Sequence, residues 1–448
     1  MAFVPLEIED LRLGMYVKLK CSWFKHPFAS NTFKVTSTQD LQTIKTISSL
    51  TLYYDPGLSD PDSLPSSETL EEPPPSLVLD PLEEEISSST APPTEEDVVK
   101  SAWEEKEIRL EAFRERRDQL RNTERAYFDS VRMTKVAFRN LLGGDKVGLK
   151  GTQDIYSTIW NTLNKNKALM ALLEVMVAAE PEDTLFFHNF NVCVLSVLVG
   201  KEMGLSEEDL QWLGVGALCH DVGFLNIPRD LHLTTGGFAT VAADSKLHVE
   251  QGVKVAQQFQ DFPKESLAVI SQHHERLNGM GHPLGLQGDD ISFFAKIVMV
   301  VDEYDYLCNS SERGKKMVPN KALSYLYKNE AVKRKGEFSQ EVIIALIRAL
   351  GVYPPGTFVE LNDGVIGVVV GVDPQIRAKP HVMTYAPESP KDEVTIINMA
   401  QDEDVSIQRC LRPEELSKKI RQALSPQQVT GHTLSTIDSA SSLPLARR

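Results

Sequence analysis

Hydrophobic and polar positions change period several times along this chain. Over residues 1–58 the patterns are short and β-like. MYVKLKCSW and FKVTS alternate or collect β-branched and aromatic residues, TLYYDP ends near a proline, and TQDLQTIKTISS between them has helical spacing. A small α/β module is expected there. Residues 59–96 are rich in Pro, Ser and acid, a composition that buries too little apolar surface to order itself, so a flexible linker is expected. Residues 97–180 turn helical. Their first part, EEKEIRLEAFRERRDQLRNTERAYF, has sparse apolar positions, which predicts a solvated or dimerising helix over 97–142 rather than a core helix. TQDIYSTIWNTLNKNKALMALLEVMVAA follows as one helical run.

Residues 181–345 read as consecutive amphipathic helices with few strand signals. Residues 346–424 switch to β-type runs. PPGTFVELNDGVIGVVVGVDP folds around an Asn-Asp-Gly turn, and HVMTYAP and DEVTIINM add further strands. The polar tail, 425–448, is expected to be disordered. The predicted fold is therefore multi-domain and mainly α: an all-α domain, a small N-terminal α/β module and a short β appendix.

Charge changes this picture only locally. The formal net charge is −16, but thirteen acidic residues and no Lys or Arg lie between Asp55 and Val99, so the remainder is close to balanced and can hold basic pockets. Five scattered cysteines without CxxC spacing suggest free thiols in a reducing compartment. With no apolar run long enough for a membrane span and no leader-like start, the expected location is cytoplasmic, and no nucleic-acid polymer is expected as a partner.

The chemistry collects in the helical stretch. Seven of the ten histidines fall between His188 and His282. His188 opens HNFNVCVLSVLV, His220–Asp221 closes an apolar run, His248 opens HVEQGVKVAQQF, and His273–His274 closes SLAVISQHH. Asp302 interrupts the apolar IVMVVDEYDYL, where an isolated carboxylate is costly to bury. Each ligand-type residue sits near a helix end or breaks an apolar stripe, so several helices can converge on one polar centre. Imidazoles with carboxylates suit first-row divalent metals. His26, His232, His381 and His432 read as ordinary structural or surface histidines.

In order and spacing these residues resemble the HD-GYP branch of the HD superfamily of metal-dependent phosphohydrolases. HHERLNGMGHP, residues 273–283, is similar to that branch's HHER-x-x-G-x-G-Y-P signature, and LGLQGDDISFFAKIVMVVDEYDYL continues it. The likeness covers roughly residues 181–330. Residues 5–55 also look like the small domain that often precedes HD-GYP domains. The resemblance implies a bacterial phosphodiesterase that opens cyclic di-GMP to the linear dinucleotide or GMP with a metal-activated hydroxide. It implies a helical site for two or three divalent metals; two are expected here, with iron or manganese favoured by the mixed imidazole and carboxylate donors and zinc, nickel or magnesium left open. His188, His220, Asp221 and Asp302 would hold one; a bridging Asp221 with His248, His273 and His274 would hold the other.

Departures from the family pattern fall on the metal side at one position and on the substrate side at the rest. Thr184 stands where trinuclear members carry a Glu, with Glu182 and Asp183 out of helical phase. Phe224 replaces a phosphate-reaching Lys, His282 replaces the signature Tyr, and Asn278 replaces an Asp. NSSERGKKM puts Ser311 and Gly314 at two basic positions, leaving Arg313, Lys315 and Lys316 beside them, with Arg276 and His282, as candidate substrate contacts. A cyclic-dinucleotide sensor or interaction module that retains its metals is the rival reading.

Overall fold

The computed structural model describes residues 3–21, 25–28, 31–47, 50–64, 95–178, 184–227, 245–309, 316–333, 335–372, 376–385, 395–402 and 404–424. Most of the expected linker and the whole expected tail lie outside these, as do Glu182, Asp183, Arg313 and Lys315. The chain divides into two compact units, with the boundary between Arg116 and Arg117 inside one helix.

In the first unit, β1 (Val4–Leu6), β2 (Tyr16–Leu19), β3 (Thr32–Lys34) and β4 (Leu52–Tyr54) form an antiparallel sheet of order β1-β4-β2-β3. Helix α1 (Thr38–Thr46) starts at a reciprocal cap, in which the Ser37 hydroxyl accepts from the Asp40 backbone N–H and the Asp40 carboxylate accepts from that of Ser37. Met15, Val17, Leu19, Val35 and Ile44 form the core of this unit.

Helix α2 (Glu95–Leu142) departs from the expectation of a solvated helix in its second half. Beyond Arg117 its apolar positions are a core face: Leu120, Tyr127, Val131, Phe138 and Leu141 are buried, and from Tyr127 onward they join the main hydrophobic core. Before Arg117 the helix keeps Ile108 exposed, as a solvated helix would. The run after it is two helices, α3 (Lys146–Leu163) and α4 (Asn166–Ala178), parted at Asn164 and Lys165.

Helix α5 (Thr184–Glu202) is buried along most of its length and touches α6 (Glu207–Cys219) most extensively. Around them pack α7 (Ser245–Ala256), α8 (Lys264–Gln272), α9 (Phe293–Asn309), α10 (Pro319–Tyr327) and α11 (Gln340–Leu350). The chain then forms β5 (Phe358–Leu361) and β6 (Ile366–Gly371), antiparallel around the Asn362-Asp363-Gly364 turn, then β7 (His381–Thr384), β8 (Thr395–Asn398) and β9 (Ile407–Leu411), and ends the described residues with α12 (Lys418–Leu424). The five strands make one sheet of order β8-β7-β6-β5-β9, in which β5 is antiparallel to β9 and β6 to β7. The architecture is thus mainly α with small strand-bearing modules at each end. Among the described residues no helix is long and apolar enough to cross a membrane.

Candidate metal centre

Five segments deliver side chains to one place. Helix α6 ends at Cys219; His220 keeps helical angles as its cap, and Asp221 (φ −104°, ψ 10°) leaves the helix into a short 3-10 turn, Val222–Asn226. That turn needs Gly223, since a Cβ there would lie 1.9 Å from the His248 carbonyl oxygen. The glycine therefore lets the turn lie directly on α7 and brings His220–Asp221 against His248. Helix α8 ends in the same way, with His273 as its cap and His274 just beyond. His188 comes from the first turns of α5, and Asp302 from the middle of α9.

Two groups of ligand atoms result, each within 4.8 Å of one another: His188, His220 and Asp302 in one, and Asp221, His248, His273 and His274 in the other. Asp221 faces both. Its Oδ1 lies 3.3 Å from His248 Nε2 and 3.5 Å from His273 Nε2, and its Oδ2 lies 3.5 Å from His220 Nε2 and 3.8 Å from His188 Nε2. Asp302 Oδ1 is 3.1 Å from His188 Nε2.

The imidazoles are oriented from behind. His220 Nδ1 donates to the Ala217 carbonyl at 2.8 Å and His273 Nδ1 to that of Ile270 at 3.0 Å, which leaves an Nε2 lone pair pointing inward on each ring. His188 Nδ1 lies 2.7 Å from Asp305 Oδ2. His248 is stacked face to face on Phe224, with ring centroids 4.1 Å apart and planes 12° apart.

Electrostatics follow from this packing. Burial pushes His220 below its ordinary value, and burial with the neighbouring His273 holds His274 well below, so both are neutral, ligand-ready rings near pH 7. Burial opposes charge on His188 as well, yet its hydrogen bonds to Asp302 and Asp305 outweigh this and raise it well above 6.5. Burial would also raise Asp221 and Asp302; instead the surrounding imidazoles hold both carboxyls below their usual range, led by His220 at Asp221 and His188 at Asp302.

A divalent cation fits these residues. The buried His220 Nε2 has no hydrogen-bond partner among the described residues, and the Nε2 atoms of His248 and His273 face each other at 3.2 Å. Inward lone pairs crowded beside anionic carboxylates are costly without positive charge between them.

The substrate-side candidates are less concentrated. His282 lies beside the centre, its ring 4.8 Å from that of His274 and its backbone N–H donating to the His274 carbonyl. Its Nδ1 is buried without a hydrogen-bond partner among the described residues, and burial, then His273 and Arg276, lower its pKa. Arg276 lies over the Phe338 ring at 4.7 Å and donates to the Glu275 carbonyl at 2.9 Å, with the Glu303 carboxylate at 3.9 Å. Lys316 is exposed at the start of the segment leading to α10.

Several residues here were not singled out in the sequence. Asp305 stands one helical turn after Asp302, a spacing visible in VVDEYD. Glu275 is wholly buried and accepts from Leu284 N at 2.7 Å and Leu286 N at 3.0 Å, folding the loop after His274 back on its start. Gly281 permits that return, because a Cβ there would meet Arg276 N at 2.3 Å.

Comparison with known proteins agrees with this geometry. Residues 173–335 match the family model described as HD domain, residues 4–147 match a domain of unknown function (DUF3391), and residues 358–419 match a KOW domain associated with HD domain. The chain is similar to the cyclic di-GMP phosphodiesterase PA4108 of Pseudomonas aeruginosa, 26% identical over 399 residues, covering 85% of this chain and 84% of the relative. It is also similar to the cyclic di-GMP phosphodiesterase response regulator RpfG of Xanthomonas campestris, 31% identical over 153 residues (34% of this chain, 39% of the relative). A third relative is the 3′3′-cGAMP-specific phosphodiesterase 3 of Vibrio cholerae, 28% identical over 168 residues (37% and 35%). The last two are thus matched over less than half of their length.

Proposed function

We propose that the chain is a member of the HD-domain family, of HD-GYP type, through residues 173–335, and that it is a metal-dependent phosphodiesterase acting on cyclic di-GMP. The observation that carries this reading is Asp221, a buried carboxylate whose two oxygens face two separate groups of imidazoles. His188, His220 and Asp302 would hold one divalent metal and His248, His273 and His274 a second, with Asp221 shared between them. Mixed imidazole and carboxylate donors favour iron or manganese. Two such ions, when bound, lower the pKa of water and neutralise charge developing on a phosphate diester.

The protein's own contribution is orientation and exclusion. The Ala217 and Ile270 carbonyls fix the Nδ1 protons of His220 and His273, and Asp305 fixes that of His188. Phe224, buried with Leu185 and Ile227, keeps water from one face of His248. A stacked Phe at this position offers a phosphate no charge. Losing one charge-assisted contact weakens binding by about 1.5–3 kcal/mol, one to two decades, without touching the metal ligands. His282, neutral near pH 7 and beside His274, is the side chain we assign to the nucleotide, with Lys316 available at the periphery.

Anaerobically purified protein reconstituted with Fe(II) or Mn(II) and supplied with cyclic di-GMP tests this reading by chromatography of the products. The expected result is linear dinucleotide or GMP, formed only in the presence of metal. Fully metallated protein that releases neither product contradicts it.

A further inference from the structure

We infer that Tyr127, on helix α2, is a positioning residue for the metal centre, acting on His188 through Asn191 and Asp305. The chain of contacts is unbroken. Tyr127 OH donates to Asn191 Oδ1 at 2.8 Å, Asn191 Nδ2 donates to Asp305 Oδ1 at 3.2 Å, and Asp305 Oδ2 accepts from His188 Nδ1 at 2.7 Å. Asn309 Nδ2 also donates to Asp305 Oδ1, at 2.8 Å. Tyr127, Asn191 and Asp305 are all buried, so water does not compete for these groups. The inference rests on the proposed role of His188 as a metal ligand.

Packing alone does not call for the hydroxyl. The Tyr127 ring sits among Phe128, Phe187 and Phe190 at centroid distances of 5.5–5.7 Å, contacts that a phenylalanine would make equally well. A buried phenol needs a partner, and this one finds the single acceptor that also fixes an amide. With Oδ1 of Asn191 committed to Tyr127, its NH2 is directed at Asp305, and the Asp305 carboxylate is left with one oxygen for His188. That oxygen sets the imidazole tautomer, so that Nε2 presents its lone pair to the cation. Tyr127 lies outside residues 173–335, within the stretch that matches the domain of unknown function. The bracing of the metal centre therefore begins on the helix that precedes the HD domain.

The test is Co(II) titration of the full-length, metal-stripped chain, followed by visible absorption and chelator competition, with no substrate present. Direct outer partners of a metal-bound histidine are worth about 10- to 100-fold in metal affinity, so Asp305→Asn should lose about tenfold or more and Tyr127→Phe, two links further out, about three- to tenfold. Tyr127→Phe should also shift the Co(II) spectrum. The double variant should lose no more than Asp305→Asn alone, because the two act in series. Phe138→Leu, on the same helix but outside the contact chain, should lower thermal stability and leave Co(II) affinity unchanged. Tyr127→Phe with wild-type affinity and spectrum, or losses that simply add in the double variant, would overturn the inference while leaving the proposed function standing. A wild-type chain that takes up no metal would overturn both.

Discussion

His188 and His248, one from each group of candidate ligands, are braced in opposite ways, while His220 and His273 are both held by a backbone carbonyl. Behind His188 stands a polar relay, with Asp305 on its Nδ1 and Asn191 and Tyr127 beyond. Behind His248 stands an aromatic plate, Phe224, 4.1 Å away and nearly parallel. A hydrogen-bonded brace fixes both the tautomer and the direction of a ring, but it contributes modestly to folding because the same groups bond to water when unfolded. A packed brace fixes direction alone and is itself part of the core. Loss of the polar brace should therefore appear mainly in metal affinity, and loss of the aromatic brace in stability and affinity together.

The strongest way to break this contrast is Phe224→Ala. Truncating a buried aromatic typically costs about 3–5 kcal/mol, and the lower end suits this site beside a short turn. Denaturant unfolding of the metal-free protein should show that loss, and metal uptake by the His248 group should weaken more than uptake by the His188 group. Equal weakening of both, or no loss of stability, would remove the distinction between the braces.

Glu275→Gln probes the loop that carries His282 and should have a smaller effect. The carboxylate accepts two backbone N–H bonds, and the amide retains one acceptor oxygen, so about 1.5–3 kcal/mol of local stability is at stake. KM for cyclic di-GMP should rise while metal content stays at the wild-type level. A fall in metal content instead would place Glu275 among the supports of the ligands rather than of the loop.

The smallest effect expected is on pH dependence. His188 is raised in the fold by Asp302 and Asp305 against its burial, so in metal-free protein its contribution to stability is full below 6.5 and is lost as pH rises through its folded value. His220 and His274 are lowered, chiefly by burial, so their effect is opposite, costing stability as pH falls below 6.5. A metal ligand must be neutral, so cation binding at His188 displaces a proton and strengthens with pH. Melting in chelator should show stability declining from pH 7 to 9, while the increment on adding Mn(II) grows over that range. A constant increment would contradict the assignment of His188 as the charged group.

The candidate ligand positions were legible because they break a pattern. His220–Asp221 and His273–His274 stand where apolar helices stop, and Asp302 is a charge inside an apolar run. The β5–β6 hairpin was legible from Asn362-Asp363-Gly364, since few other sequences make so tight a turn. Other features depend on tertiary partners. Nothing local marks Tyr127 as part of a relay reaching α9, and the sparse apolar positions of α2 become a core face only once α5 packs beside them. β1 is too short, and β9 too polar in pattern, to stand out. The substitution at Phe224 was plain in the sequence, but its meaning was not. The ring is stacked on His248, a contact that nothing local in the sequence announces.

The central claim is that one carboxylate serves two metal positions. Counting bound metal by elemental analysis, in wild type and in three variants prepared identically, tests it most directly. Wild-type chain should hold about two ions, His188→Ala and His248→Ala about one each, and Asp221→Ala close to none, since both groups lose a ligand at once. An Asp221→Ala protein that keeps its full complement would contradict the account.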